Sequence, residues 1–165
     1  MTRHALLGCF ALCAACGSTA GADAGTPPVP DSTIEQEAAG YQQFTRLDSS
    51  SFPTQAHQCG CDVNVYANAR ALPAYRAIGD AGVATAFPAG SMLVKEMLGA
   101  NGQPDALTVM YKQPPGYDSA GHDWWWGQLA PDGGVAGSTG QVAFCLACHA
   151  SAPRSDLAFG AANGR

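Results

Sequence analysis

The residues with the clearest chemical signature lie near the end of the chain, in the pentapeptide Cys145-Leu146-Ala147-Cys148-His149. Its C-x-x-C-H spacing is the attachment motif of c-type haem. Two cysteines at this spacing can form thioethers to the two vinyl groups on one edge of a porphyrin, and the next residue can bind the iron. The motif predicts one covalent haem c, attached through Cys145 and Cys148, with His149 as proximal iron ligand.

Two other roles for these cysteines are open at the level of sequence. Cys145 and Cys148 could be a redox dithiol, which leaves His149 without a role and lacks the context of a thioredoxin-like motif. Alternatively, Cys59 and Cys61 join them in a four-thiolate zinc site. In an oxidising compartment Cys59 and Cys61 can also pair with each other, bond another chain or stay reduced.

Residues 1–16 have the pattern of an export signal. Arg3 supplies the positive end, a short apolar region follows, and small residues surround Cys13 and Cys16. Small residues before Cys16 resemble a bacterial lipobox, although Cys13 stands where an aliphatic residue is usual. Lipidation at Cys16 and ordinary cleavage are both open. Either outcome predicts a periplasmic protein or an outer-membrane-attached lipoprotein. Both lie outside the cytoplasm, which is also where haem c is covalently attached.

Composition restricts the partners. The 165 residues include 8 basic and 13 acidic side chains, for a formal net charge of −5. No stretch holds three basic residues close together, so nucleic acid is not an expected partner. No apolar run reaches the roughly 18 residues that span a bilayer, so contact with a membrane is expected only through a lipid anchor.

The remaining chain is expected to fold as one mainly β (α+β) domain. Residues 17–33 are small, polar and Pro-rich, which predicts a flexible linker before a haem domain at 34–165. Short runs of β-branched, aromatic and Met residues between turn residues predict an antiparallel meander with strands at 63–67, 91–97, 107–112 and 124–129. A few short helices are expected, at 34–47 and 69–81.

The position of the motif limits the kind of haem pocket. Only a short segment follows His149, so the preceding body must form the pocket. Small cytochromes carry the motif near the N-terminus with a Met ligand downstream, whereas no Met follows His149 here. Four-helix-bundle cytochromes carry it late, but this body lacks their sustained helical apolar pattern. A pocket against a β-sheet is therefore expected.

Four segments around the motif carry a family resemblance, in the order 87–96 (FPAGSMLVKE), 110–112 (MYK), 123–126 (DWWW) and 156–159 (DLAF). They resemble the cytochrome P-460 family over about 63–159. The resemblance implies a mono-haem c protein on an antiparallel sheet, usually a homodimer, with a five-coordinate iron open to small nitrogen species. A redox partner protein is also expected. Its best-known members are oxidoreductases that oxidise hydroxylamine, and the related cytochromes c′-beta bind nitric oxide or other small gases.

Two residues of the expected sheet bear on whether the protein oxidises hydroxylamine. The resemblance places Lys95 at the position of a lysine that hydroxylamine-oxidising members join covalently to the porphyrin. Strand alternation puts Lys95 on the opposite face from Glu96, although a surface pair of the two is the simpler alternative. Thr108 lies where those members carry a distal carboxylate, and a threonine hydroxyl is a poor general base. Gas binding, electron transfer or an unknown substrate therefore remain open.

Other side chains could face the haem. Trp124 and Trp126 share a strand face and could pack on a porphyrin or simply form core. Met97 or Met110 could be a sixth ligand, which would make the protein an electron carrier without a substrate. That electron-transfer module is the main rival function, and a zinc-binding structural domain is a distant third.

The remaining candidates lie in loops. His57 and His122 sit beside turn residues and could ligate iron from the distal side, although exposed loops are the preferred interpretation. Arg154 and Asp156 follow the haem motif. They could hold that turn against the body or contact a haem propionate.

Overall fold

The computed structural model describes residues 25–54, 60–78 and 84–160. The predicted export signal, His57 and Cys59 lie outside these residues. Ordered packing begins inside the predicted linker, because the backbone of Val29 exchanges hydrogen bonds of 2.7 and 2.8 Å with the side-chain amide of Gln113.

An antiparallel sheet dominates the described residues. Its strands are β1 (Thr45–Arg46), β2 (Phe52–Pro53), β3 (Asp62–Ala67), β4 (Met92–Leu98), β5 (Pro104–Lys112), β6 (Trp124–Leu129) and β7 (Val135–Gly140). The order is β1-β3-β4-β5-β6-β7, with β2 also paired to β3. From β3 onward each strand pairs with the next, so the predicted mainly β meander with few short helices is confirmed.

The two predicted helices are shorter than expected, and a third helix, at the haem motif, was not predicted. The helices are α1 (Asp31–Ala39), α2 (Leu72–Ala77) and α3 (Ala143–His149). Helix α1 begins three residues before the predicted start and ends at Ala39, Gly40 follows it as the C-cap, and a separate 3₁₀ turn lies at Tyr41–Gln43. Glycine is a poor helix former, which explains why the predicted single helix is divided there.

The two faces of the sheet pack separate cores. Helix α1 covers one face, which we call the α1 face, through Ile34 and Ala38 against the alternate strand residues Met92, Val94, Leu107, Val109 and Trp125. The other face, which we call the motif face, packs Leu93, Met110, Trp124 and Trp126 against α2 and the C-terminal segment, with Cys145 and Leu146 partly buried at its edge. The sheet therefore presents one face to the C-x-x-C-H segment.

Candidate haem-binding site

The whole C-x-x-C-H motif lies at the end of helix α3. Residues three apart on a helix share one side, so Cys145 and Cys148 both face the same direction. Both are free thiols, Cys145 half-buried and Cys148 exposed. Burial raises the pKa of the Cys145 thiol, and the Cys148 thiol nearby adds to that increase. The helix thus holds two accessible thiols one turn apart.

The structure argues against the four-thiolate zinc site. Cys61 forms a disulfide, so it has no thiolate to offer a zinc ion and is not reduced. Its partner lies outside the described residues, since Cys145 and Cys148 are free thiols. In the described part of the chain, no group of three or more His, Cys, Asp or Glu side chains is arranged to hold a metal ion.

The imidazole of His149 lies between two aromatic rings on the motif face. Its centroid is 4.7 Å from that of the Trp126 ring and 4.9 Å from that of Phe159. Its Nδ1 lies 2.7 Å from the Leu157 carbonyl oxygen, which can only accept, so Nδ1 carries the proton. The lone pair is then on Nε2, the arrangement in which a histidine binds a metal.

The Leu157 carbonyl is held by an unusual turn. Asp156 and Leu157 have φ values of 53° and 66°, a left-handed conformation that is uncommon for residues other than glycine. Asp156 is buried, and its Oδ2 accepts hydrogen bonds from the Phe87 backbone at 2.9 Å and from Lys112 at 2.7 Å. The Trp124 indole N–H donates to the Asp156 carbonyl at 2.7 Å. The expectation that Asp156 holds this turn against the body is met.

The other loop candidates occupy different places. His122 lies in a turn with its side chain 40% exposed, and its Nδ1 is 3.0 Å from Asp156 Oδ1. Arg154 is exposed, and its carbonyl accepts a hydrogen bond of 2.9 Å from Thr85. Each therefore helps to fix the segment that follows the motif.

Lys95 and Thr108 are direct cross-strand partners on the motif face. In the register of β4 and β5 they lie opposite each other, and Thr108 in turn lies opposite Gln128 of β6. Burial lowers the pKa of Lys95, and an opposing interaction with the Cys148 thiol raises it. The interaction indicates that Lys95 lies within electrostatic range of the C-x-x-C-H motif.

The alternative of a surface pair between Lys95 and Glu96 is wrong. Glu96 is 4% exposed and lies on the α1 face. Its carboxylate accepts hydrogen bonds from the Tyr41 hydroxyl and the Asn64 amide, and a longer one of 3.4 Å from the Tyr66 hydroxyl. The two charged neighbours point to opposite sides of the sheet.

The Trp and Met candidates are largely core. Trp124 is fully buried and Trp126 is 2% exposed; of these two tryptophans, Trp126 is the one with a ring contact to His149. Met110 is buried in the cluster of the motif face, whereas Met97 is half-buried farther along the same face, opposite Val63.

Sequence reasoning missed one polar residue of the motif face, Gln128, and the ion pair between Lys112 and Asp156. Gln128 completes the row with Lys95 and Thr108, and its Oε1 accepts a hydrogen bond of 3.1 Å from the Ser138 backbone. Alternation along 124–129 could have placed it, because it is two residues from Trp126. The ion pair of Lys112 with Asp156 had no local signal, since its members are 44 residues apart.

A comparison with known families decides among the haem proteins. The family model for cytochrome P460 matches residues 38–160. The chain belongs to the cytochrome P460 family. A search of curated proteins found no match.

Membership in the cytochrome P460 family confirms the predicted cofactor, one covalent haem c per chain. The chain is thus a c-type haem cytochrome, of a family whose chemistry concerns nitrogen species and whose members are exported. Among the described residues, no helix is both long and apolar enough to cross a membrane.

The residues of this cytochrome P460 chain fit a covalently bound porphyrin. Helix α3 has the apolar sequence AFCLACH, yet none of its residues is buried, and Phe144 is 67% exposed. An apolar surface of this kind beside two free thiols is expected to be covered by a ligand. Cys145 and Cys148 would hold the haem, and His149 presents the correct nitrogen for its iron.

Proposed function

We propose that the protein is an exported mono-haem cytochrome that binds or oxidises a small nitrogen compound, hydroxylamine or nitric oxide, at an open distal site. His149 is the proximal ligand, and electrons pass to a redox partner protein. The observation that carries the proposal is the hydrogen bond from His149 Nδ1 to the Leu157 carbonyl, which prepares Nε2 for iron beside two free thiols.

Bound haem c supplies an iron that binds small molecules and exchanges electrons. The protein residues determine what else occurs at the site. The aromatic rings of Trp126 and Phe159 restrict the orientation of the His149 imidazole. The row of Lys95, Thr108 and Gln128 adds polar groups to an otherwise apolar face, and these groups can bond a small polar substrate.

Thr108 argues for binding over rapid oxidation. Oxidation of hydroxylamine releases electrons to the redox partner and protons to groups in the pocket. A threonine hydroxyl accepts protons poorly near neutral pH, whereas a carboxylate can act as a general base. We therefore propose slow hydroxylamine oxidation and tight binding of nitric oxide for the natural sequence.

The test is an anaerobic titration of the full-length haem protein, ferric with hydroxylamine and ferrous with nitric oxide, followed by absorption. The expected result is a spectral change that saturates at one equivalent per haem with at least one of the two. No change with either compound would overturn the proposal.

Substitution of Thr108 tests its role in proton transfer. Thr108→Glu places a carboxylate beside Lys95 and should increase the rate of hydroxylamine oxidation by roughly 10²-fold, the lower end of the general-base range. Thr108→Gln is the matched control because it has similar size and no basic group. Equal rates for the two variants would show that position 108 does not exchange protons with the substrate.

A six-coordinate electron carrier is the second candidate. It is supported by Met97, which is half-buried on the motif face. A methionine thioether is a known ligand of haem iron. A low-spin ferrous spectrum that becomes high-spin in Met97→Leu would favour this candidate.

Export, anchoring and assembly are further parts of the proposal. We propose a periplasmic location with attachment to the outer membrane through a lipid at Cys16, and a homodimer as the family resemblance implies. Fractionation of cells that produce the wild type and Cys16→Ser tests the anchor. Release of only the variant into the soluble fraction is expected, and identical fractionation would contradict lipidation.

A further inference from the structure

We propose that the ion pair between Lys112 and Asp156 is a positioning device for the iron ligand. It holds the Leu157 carbonyl against the Nδ1–H of His149, and so strengthens the bond from His149 to iron and lowers the reduction potential. This inference rests on the proposed role of His149 as proximal ligand.

The pair is buried and fully engaged. Lys112 Nζ lies 2.7 Å from Asp156 Oδ2, with side-chain exposures of 12% and 8%. The same ammonium group donates to the His122 carbonyl at 2.6 Å and lies 4.9 Å from the centroid of the Trp124 ring. Removing one member leaves a buried charge without its partner, so the pair is costly to break.

The pair joins the end of strand β5 to the segment that follows the motif. Asp156 and Leu157 are both left-handed, a strained conformation that persists only where the surroundings enforce it. The bonds from Lys112, Phe87 and Trp124 to Asp156 provide that enforcement. Without them the turn is free to relax and to move the Leu157 carbonyl.

Movement of the Leu157 carbonyl changes how strongly His149 can bind iron. A hydrogen bond from Nδ1 to a strong acceptor orients an imidazole and increases the basicity of its other nitrogen. A more basic ligand stabilises the oxidised iron over the reduced iron. Loss of the Leu157 acceptor should therefore weaken the bond from His149 to iron and raise the reduction potential.

Two variants separate positioning from simple charge. Asp156→Asn removes the negative charge with a residue that tolerates the left-handed conformation, and Lys112→Met removes the positive charge at similar length. Through-space electrostatics alone predicts opposite shifts, a higher potential for Asp156→Asn and a lower one for Lys112→Met. Positioning predicts a higher potential for both.

The measurements are the midpoint potential and the iron–histidine stretching frequency in resonance Raman spectra of the ferrous full-length haem protein. Positioning predicts that the frequency decreases in both variants. Potentials that shift in opposite directions, or an unchanged stretching frequency, would overturn the inference. Lys112→Gln is the milder variant because it keeps a donor for the His122 carbonyl, and it should show the same changes to a smaller extent.

Two controls distinguish the possible failures. Glu96→Gln removes a buried carboxylate from the α1 face, so it should lower stability and leave the stretching frequency unchanged; a shift as large as that of Asp156→Asn would contradict specific positioning. His149→Ala should abolish the iron–histidine band. A wild-type spectrum without that band would refute a five-coordinate ferrous haem held by His149, which is a failure of the proposed function itself.

Discussion

Lys95 and its neighbour Glu96 lie on opposite faces of the sheet and therefore have different surroundings. Glu96 is buried among hydroxyl and amide donors on the α1 face, while Lys95 faces the motif, where burial lowers its pKa. A lowered pKa increases the fraction of neutral amine, which is the nucleophilic form of lysine. Position and protonation both suit the porphyrin link that the family resemblance implies for Lys95.

The spectrum of the denatured protein tests that link. We predict that the wild type keeps a broad, red-shifted Soret band in pyridine, because a covalent bond between Lys95 and the porphyrin would survive unfolding. Lys95→Met should give an ordinary haem c spectrum. The same ordinary spectrum for the wild type would show that Lys95 is not linked.

The raised pKa of Tyr41 predicts that the stability of the fold changes with pH, whether or not haem is bound. Burial and the hydrogen bond to Glu96 raise the pKa of Tyr41 to about 12, against about 10 in an unfolded chain. The folded protein therefore retains this proton more strongly, and the resulting stability is complete below pH 10 and lost as pH rises towards 12. The loss corresponds to at most about 3 kcal/mol.

Denaturant unfolding of the wild type and Tyr41→Phe between pH 9 and 12 checks this prediction. The free energy of unfolding should decrease more steeply with pH in the wild type, because the variant has no hydroxyl to ionise. Parallel pH profiles for the two proteins would contradict the role of Tyr41.

At the level of elements, the strands that flank the site could be predicted closely from the sequence. Runs rich in β-branched, aromatic and Met residues between turn residues defined β4 and β6 to within one residue. Strand β5 begins earlier than predicted, at Pro104, because Pro-Asp-Ala has low strand propensity and is included only through pairing with β4. Strand β7 (VAGSTG) was missed since it is exposed and Gly-rich, without alternation.

Gly127 of β6 supplies a prediction about packing. A methyl group at this position would lie 2.5 Å from the Trp125 ring, which is fully buried. Gly127→Ala should therefore lower the free energy of unfolding by about 1 to 3 kcal/mol, the usual cost of overpacking.

Gly40→Ala is the matched control for that substitution. Its new methyl group would meet only the Glu37 carbonyl at 3.5 Å, an ordinary contact. Denaturant unfolding should show a clear loss of stability for Gly127→Ala and little change for Gly40→Ala. Equal stability of the two variants would contradict the close packing of Trp125 over Gly127.

At the level of the whole molecule, local spacing revealed the cofactor but not how the protein supports it. The C-x-x-C-H motif is contiguous, so its chemistry could be predicted from five residues. The support for His149 depends on Lys112, Asp156 and Leu157, which only tertiary folding brings together. The left-handed turn at Asp156 had no glycine to indicate it, and so gave no sequence signal.

The coordination state of the ferrous iron is the most direct test, because the proposed function requires a haem held by His149 with the opposite side open. The measurement is the absorption spectrum of the reduced full-length protein without added ligand. We predict a broad, five-coordinate high-spin spectrum. Sharp, split low-spin bands would contradict the claim, because they would show that a second side chain occupies the distal position.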